Sequence, residues 1–162
     1  MLEQRIRELL LGARAEARRL GLNAELLFHR ERSGLVRLGN SSVSLATSET
    51  LSRLDVSVMD GRRIGEFGLN AEISSPDQLS EAIARAAENC RDALPKDHDP
   101  IFGCVEEQVD DETGFDPSLE SLSAEAKIDL CEKVIRRIGR SKDYDFSGSW
   151  STGSTEMYYA TT

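Results

Sequence analysis

Apolar and polar residues alternate along the stretch from Gly34 to Asn70, and this alternation predicts a β-sheet. The clearest run has Leu54, Val56 and Val58 on one face, with polar residues between them. A period of two is typical of an antiparallel strand that has one face against a core and the other in water. We therefore expect this stretch to form the centre of the fold.

The dipeptide Asp60-Gly61 follows that run and predicts a hairpin. A type I′ turn needs positive φ at both central residues, which Gly accepts freely and Asp at modest cost. A two-residue loop here places Phe67 opposite Leu54, Gly65 opposite Val56, and Arg63 beside Val58. A bulge that shifts the register by one residue would turn Ile64 to that face instead, so the pattern leaves both registers open.

Three segments repeat their apolar residues at the spacing of an amphipathic helix. The first runs from Leu2 to Leu20, and Gly21 is placed to end it in the left-handed conformation. The second begins at a predicted capping box, with Ser75 as the N-cap and Gln78 three residues later. Its apolar stripe comprises Leu79, Ile83, Ala86, Cys90 and Leu94. The third has Ser123 as its N-cap, and its stripe comprises Ile128, Cys131, Val134, Ile135 and Ile138.

Other alternating runs predict further strands. Residues 24–32 form a predicted first strand, which a turn at Ser33-Gly34 ends. Residues 35–47 form a second strand, broken or bulged at Gly39-Asn40. Residues 154–162 alternate again and predict a last strand for which the sequence offers no partner.

Together these elements predict an α+β fold, in which a mainly antiparallel sheet carries amphipathic helices on one face. We expect an amino-terminal domain at residues 1–94 and an acidic linker at residues 95–120, where three of the four prolines lie. Residues 121–162 then form the start of a second, incomplete domain, because a terminal strand without a partner is not stable alone.

The charge of the chain argues against two classes of binding partner. The net charge of −9 and the pI near 4.8 disfavour direct binding to nucleic acid and to anionic membrane surfaces. The three cysteines are widely spaced without a Cys-x-x-Cys pair, so we expect them to be reduced. The amino terminus lacks the apolar core of a signal peptide, and no run reaches membrane-spanning length. A cytoplasmic location is expected.

Few residues in the sequence suggest a catalytic or metal-binding site. His29 and His98 are far apart, so the chain lacks the paired histidines of a metallopeptidase helix. The segment at residues 148–153 misses the G-x-S-x-G spacing of a nucleophile elbow and is predicted to be a loop. Acidic residues around His98 leave open a metal site or a small independent enzyme, although an acidic linker is usually only solvated.

The order of these segments resembles the amino-terminal part of the TldD/PmbA family, whose members are described as metallopeptidases and as modulators of DNA gyrase. The resemblance is carried by a strand ending in Arg-x-x-Asn at residues 36–42, and by the strand, glycine turn and Arg-x-Gly hairpin at residues 54–65. Asn70, the capped helix at residues 75–94 and the helix start at residues 123–128 continue it.

The resemblance implies proteolysis of small or unfolded polypeptides by a homodimer or a heterodimer of related subunits. It also implies a divalent metal ion, which we expect to be zinc. In family members a His-Glu-x-x-x-His helix in the carboxyl-terminal portion would bind it. That motif is absent from this chain, so no catalytic or metal residue is carried over and no cofactor is expected within residues 1–162. Whether the chain is itself an enzyme stays open.

The expected role is a non-catalytic domain that serves as a scaffold, a subunit contact or a surface that guides a peptide through a sheet edge. The residues proposed to contact a peptide or partner are Arg37, Asn40, Arg53, Arg62 and Arg63. The alternative is a free-standing protein-binding module that uses the same kind of edge.

Overall fold

The computed structural model describes residues 2–103, 113–138 and 144–162 and shows an α+β fold. Its elements in chain order are α1 (Leu2–Arg19), β1 (Asn23–Gly39), β2 (Ser42–Asp60), β3 (Arg63–Leu69), α2 (Pro76–Asp92), α3 (Pro117–Glu120), α4 (Ala124–Ile138) and β4 (Gly148–Thr161). The strands form one four-stranded antiparallel sheet in the order β3-β2-β1-β4. The predicted fold class is confirmed.

Residue contacts group the chain into two compact units. Unit 1 comprises Met1–Arg30, Leu51–Asp110 and Glu156–Thr162, and unit 2 comprises Glu31–Thr50 and Asp111–Thr155. These units interleave along the sequence, whereas the predicted domains follow one another. The predicted domain division stays a prediction, and residues 104–112 of its acidic linker lie outside the described part of the chain.

The core of unit 1 lies between α1, α2 and one face of the sheet. Leu26 and Phe28 of β1 and Leu54 and Val56 of β2 are fully buried there against apolar residues of both helices. Burying an aliphatic or aromatic side chain contributes about 1.5–3 kcal/mol, so this layer stabilises the fold. In the described residues, no helix is both long and apolar enough to cross a membrane.

The end of α1 and the start of α2 form as their sequences predict. Gly21 has φ +68, and the Gly21 and Leu22 N–H groups donate to Arg18 and Ala17, which is the pattern of a Schellman motif. At α2, Ser75 and Gln78 form the predicted capping box. Leu94, however, is 85% exposed, because α2 ends at Asp92. Its predicted place in the apolar stripe is wrong.

Helix α2 packs directly on β3 at Gly65. A Cβ built on this glycine would lie 2.0 Å from the backbone nitrogen of Cys90 and 2.3 Å from the carbonyl oxygen of Ala86. No other residue leaves room for this approach. Cys90 is buried and forms no disulfide with a described residue, and the same holds for Cys131 of unit 2. Cys104 lies outside the described residues, so the reduced state of the three cysteines stays a prediction.

The hairpin between β2 and β3 exists, but its turn lies one residue later than predicted. Asp60 pairs with Arg63, so Gly61 and Arg62 form the loop, and only Gly61 has positive φ. This is the pattern of a type II′ turn, which takes Gly at its first central position.

The later turn moves every cross-strand pair by two residues. Phe67 therefore pairs with Val56 and Gly65 with Val58, which corrects the predicted partners. The predicted face is right, because a shift of two residues returns each side chain to the same face. The alternative register, with Ile64 in the core, is wrong.

A second hairpin joins β1 to β2 where the sequence predicts one interrupted strand. Strand β1 continues through Ser33-Gly34 to Gly39, and the chain reverses at Asn40 and Ser41. These two residues have φ of 50 and 54, the only positive values among the described non-glycine residues, as a type I′ turn requires. The predicted turn at Ser33-Gly34 and the strand spanning residues 35–47 are both wrong.

Unit 2 has its own small core between α4 and the sheet. Val36 and Leu38 of β1 pack with Cys131 and Ile135 of α4, and Phe146 and Trp150 border them. The Ser123 Oγ accepts a hydrogen bond from the Ala126 N–H at 3.1 Å and so caps α4 as predicted.

Two further expectations for this region are corrected. Val134 and Ile138 are exposed rather than part of the buried stripe of α4. Residues 148–153, predicted as a loop, are the first part of β4. That strand also has a partner, since it lies beside β1 in the sheet.

Candidate functional site

Arg62 and Arg63 are predicted to contact a peptide, but in the structure both side chains form hydrogen bonds with backbone carbonyls of their own chain. The Arg63 Nη1 donates to the carbonyl oxygen of Arg91 at 2.8 Å, in the last turn of α2. The Arg62 Nε donates to the carbonyl oxygen of His98 at 3.3 Å and lies 3.6 Å from a carboxylate oxygen of Asp99. Both side chains remain exposed, so a partner could still reach them.

Arg53 forms an ion pair along its own strand. Its Nε lies 2.8 Å from Oδ2 of Asp55, and the hydrogen bond to Asp55, followed by the charge of that carboxylate, raises the pKa of the guanidinium. Because water screens the charges of this exposed pair, the pair constrains the Arg53 side chain more than it stabilises the fold.

Arg37 and Asn40 lie in unit 2, near the turn between β1 and β2. The exposed Asn40 occupies the first turn position with φ of 50. Arg37 is exposed, and within the described residues no hydrogen bond or ion pair involves its guanidinium. Of the five predicted contact residues, Arg37 therefore has the freest charged group for an incoming carboxylate or carbonyl.

The candidate site is the open edge of β2, which we define as residues 44–50. Strand β3 pairs only with residues 54–60 of β2, so no described strand lies beside the open edge on its outer side. All seven residues of the open edge are exposed. Its outward N–H and C=O groups are therefore available to another extended chain.

The composition of the open edge also suits strand addition. The segment Ser-Leu-Ala-Thr-Ser-Glu-Thr contains one charged residue, Glu49, and neither lysine nor proline. Edge strands that must not pair usually carry such protecting residues. The two threonines, Thr47 and Thr50, favour extended backbone. Main-chain hydrogen bonds would bind a peptide there with weak side-chain selectivity.

Two polar features of unit 1 are not among those predicted from the sequence. Arg30 is only 6% exposed and pairs with Glu72 and Glu156 at 2.5 and 3.3 Å. A signal for it existed, because Arg30 continues the buried alternation of Leu26 and Phe28.

The second feature is a hydrogen bond between strands β4 and β1. The Tyr159 hydroxyl donates to a carboxylate oxygen of Glu25 at 2.7 Å. Burial, then the hydrogen bond and charge of Glu25, raise the pKa of Tyr159 to about 12, while a backbone hydrogen bond from Gly103 opposes the shift. No distinctive pattern in the sequence marks this pair.

The described residues do not fit a metal centre. None of them forms a group of three or more His, Cys, Asp or Glu side chains that could hold an ion. The exposed His98 has its Nδ1 2.7 Å from Oδ1 of Asp97, which supplies at most two ligand side chains.

Comparison with known proteins finds solved structures of similar fold, and two of them are compared below. No family model and no curated protein matches the chain. The first is a candidate modulator of a DNA gyrase from Thermotoga maritima MSB8, at 14% identity and a TM-score of 0.62. The alignment covers 96% of this chain and 43% of that one. The second is TldE from Thermococcus kodakarensis, at 15% identity and a TM-score of 0.58, with 86% and 36% covered.

The chain thus spans less than half the length of either solved protein. Identities this low inform on the fold alone. The fold nevertheless agrees with the resemblance seen in the sequence, over most of the chain. The chain has a TldD/PmbA-like fold.

Proposed function

We propose that residues 1–162 form a non-catalytic domain of a TldD/PmbA-type metallopeptidase and that the open edge of β2 guides an extended polypeptide. The observation that carries this proposal is the row of exposed residues at 44–50, which have no described strand on their outer side. Support comes from the fold shared with TldE and with the candidate gyrase modulator. The metal and the catalytic residues would belong to protein outside these residues, in a cytoplasmic homodimer or heterodimer.

Peptide binding can be tested on the chain itself by nuclear magnetic resonance. The probe is an uncharged, unstructured peptide rich in serine, threonine and valine, titrated into isotope-labelled protein. We expect the amide resonances of residues 44–50 to shift and alternate amides there to become protected from hydrogen exchange, since a paired strand hydrogen-bonds every second residue outward. Shifts confined to other residues, or none, would contradict the proposal.

Arg37 offers a specific variant. Arg37→Ala should weaken binding of a peptide that carries a carboxylate by roughly three- to tenfold, because a charge-assisted hydrogen bond is lost. Arg19→Ala is the control, since it removes another exposed arginine, from the last turn of α1. Equal affinity for the Arg37 variant and the control would remove Arg37 from the contact surface.

The same open edge also supports the alternative, a free-standing protein-binding module. The two functions differ in what surrounds the chain. A reading frame that continues past Thr162 into a His-Glu-x-x-x-His segment supports the peptidase, and peptide cleavage by that longer protein tests it directly. A stop codon after Thr162, together with peptide binding but no cleavage, supports the module.

A further inference from the structure

Helix α4 has a second apolar face that points away from its core. Its buried residues are Lys127, Cys131 and Ile135. Leu130, Val134 and Ile138 are nevertheless 43%, 47% and 55% exposed. With the partly buried Ala126 they recur every four residues along one side of the helix, and we call these four residues the α4 ridge.

Three large aliphatic side chains in one exposed row call for an explanation. Single exposed leucines are common, whereas a contiguous apolar row on a helix marks a contact surface. The row also explains why the sequence prediction placed Val134 and Ile138 in the core, since the apolar arc of α4 is wider than the side that meets the sheet.

Charge along α4 is divided between its two halves. The exposed residues of the first half include the acids Glu125, Asp129 and Glu132, and those of the second half include the bases Lys133, Arg136 and Arg137. Arg136 is paired with Glu132 at 3.1 Å. Among the described residues, neither Lys133 nor Arg137 has a recorded ion pair, and both lie on the side of the helix next to the α4 ridge.

When two copies of α4 run in opposite directions, the acidic half of each helix lies against the basic half of the other. Antiparallel pairing centred on Glu132 brings Leu130 opposite Val134 of the other copy, and the small Ala126 opposite the larger Ile138. Asp129 then faces the interval between Lys133 and Arg137 of the other copy. A parallel pair would instead place acids against acids and bases against bases, which is unfavourable.

We propose that the α4 ridge binds the α4 ridge of a second copy of this chain, with the two helices antiparallel and related by a twofold axis. Such an interface is isologous, so each contact occurs twice. The inference names a surface for the subunit contact of the proposed function and rests on that function only in supposing that copies associate.

Association can be measured by sedimentation of the 162-residue chain over a range of concentrations. We expect a monomer–dimer equilibrium, and the double variant Leu130→Glu, Val134→Glu should raise its dissociation constant by about a hundredfold because charged groups would be buried. Leu94→Glu is the control, since it introduces a single glutamate at an exposed leucine of unit 1 and should leave the dimer unchanged. A monomeric wild type, or a double variant that still dimerises, would overturn the proposal.

Charge exchange tests the direction of the helices. Asp129→Lys should weaken the dimer, because it sets a third base against Lys133 and Arg137 of the other copy. Adding Lys133→Glu and Arg137→Glu should restore it. An unweakened Asp129→Lys dimer, or a triple variant that stays dissociated, would rule out the antiparallel arrangement.

The two proposals fail separately. Peptide shifts at residues 44–50 with a monomeric wild type would exclude the pairing alone. A dimer that loses association in the double variant but gives no peptide shifts would exclude the peptide-guiding function alone.

Discussion

The phenol of Tyr159 shows how its surroundings set the chemistry of one residue. Partial burial and the adjacent Glu25 carboxylate both disfavour the phenolate, so its pKa rises to about 12 from an ordinary value of 10.0. The folded state therefore keeps this proton to a higher pH than the unfolded state does. Its contribution to stability is full below pH 10 and is lost as the pH rises towards 12.

Titration of tyrosine absorbance tests this assignment. The difference between the wild type and Tyr159→Phe should show one phenol with a midpoint near pH 12. In Glu25→Gln the midpoint should fall towards the ordinary value, because the neighbouring negative charge is gone. A midpoint that does not move in Glu25→Gln would leave burial as the whole cause.

At the scale of elements, the two hairpins differ in how far their sequences specify them. Alternation predicts the faces of β2 and β3, and it cannot detect a shift of two residues, which preserves every face. The turn itself decided that register, because the loop uses Gly61 and Arg62 rather than Asp60 and Gly61. The hairpin at Asn40 and Ser41 was harder to predict, since serine seldom takes positive φ.

Two variants of Asn40 distinguish a structural role of this residue in the turn from a role in binding a peptide. Asn40→Ala should destabilise unit 2 by about 1 kcal/mol, because alanine adopts the left-handed conformation at higher cost than asparagine. Asn40→Gly keeps the turn and should change stability by less than about 0.5 kcal/mol. Urea denaturation measures both variants. If Asn40 also contacts a peptide, Asn40→Gly should lose affinity while keeping stability, whereas unchanged affinity would make the residue purely structural.

At the scale of the molecule, Arg30 connects parts of unit 1 that are distant in sequence. It joins β1 to Glu72, which follows β3, and to Glu156 of β4. Only 7% of its side chain is exposed, compared with 49% for Glu72 and 29% for Glu156. The buried guanidinium of Arg30 is therefore the charge that needs its ion-pair partners, whereas the two carboxylates can also be solvated by water.

This asymmetry predicts which variant is the more harmful. Glu72→Gln with Glu156→Gln leaves a buried cation without a counter-ion and should reduce the free energy of unfolding by about 3 kcal/mol. Arg30→Met should cost less, because the two carboxylates that remain can reach water. Glu81→Gln, from an exposed pair with Arg85, is the control and should cost at most about 0.5 kcal/mol. Chemical denaturation gives the order of stability of these variants. An Arg30→Met variant that is less stable than the double variant would contradict this explanation.

The sequence by itself determined the helices of unit 1, their caps, the inward faces of β2 and β3, and the α+β class. These depend on neighbours a few residues away, through helical or strand period and local hydrogen bonds. The sequence also predicts Arg37 as a contact residue, since its guanidinium can donate to a carboxylate or to backbone carbonyls, and that role stays a prediction.

Only the tertiary structure decided the continuity of β1, the pairing of β4, the open edge at residues 44–50, the ion pairs of Arg30 and the exposure of the α4 ridge. Each depends on which distant segment lies beside a residue, and the local pattern is the same whether that neighbour is present or absent. Leu130 and Val134 are apolar in either case, but only the packing of α4 against its sheet leaves them in water.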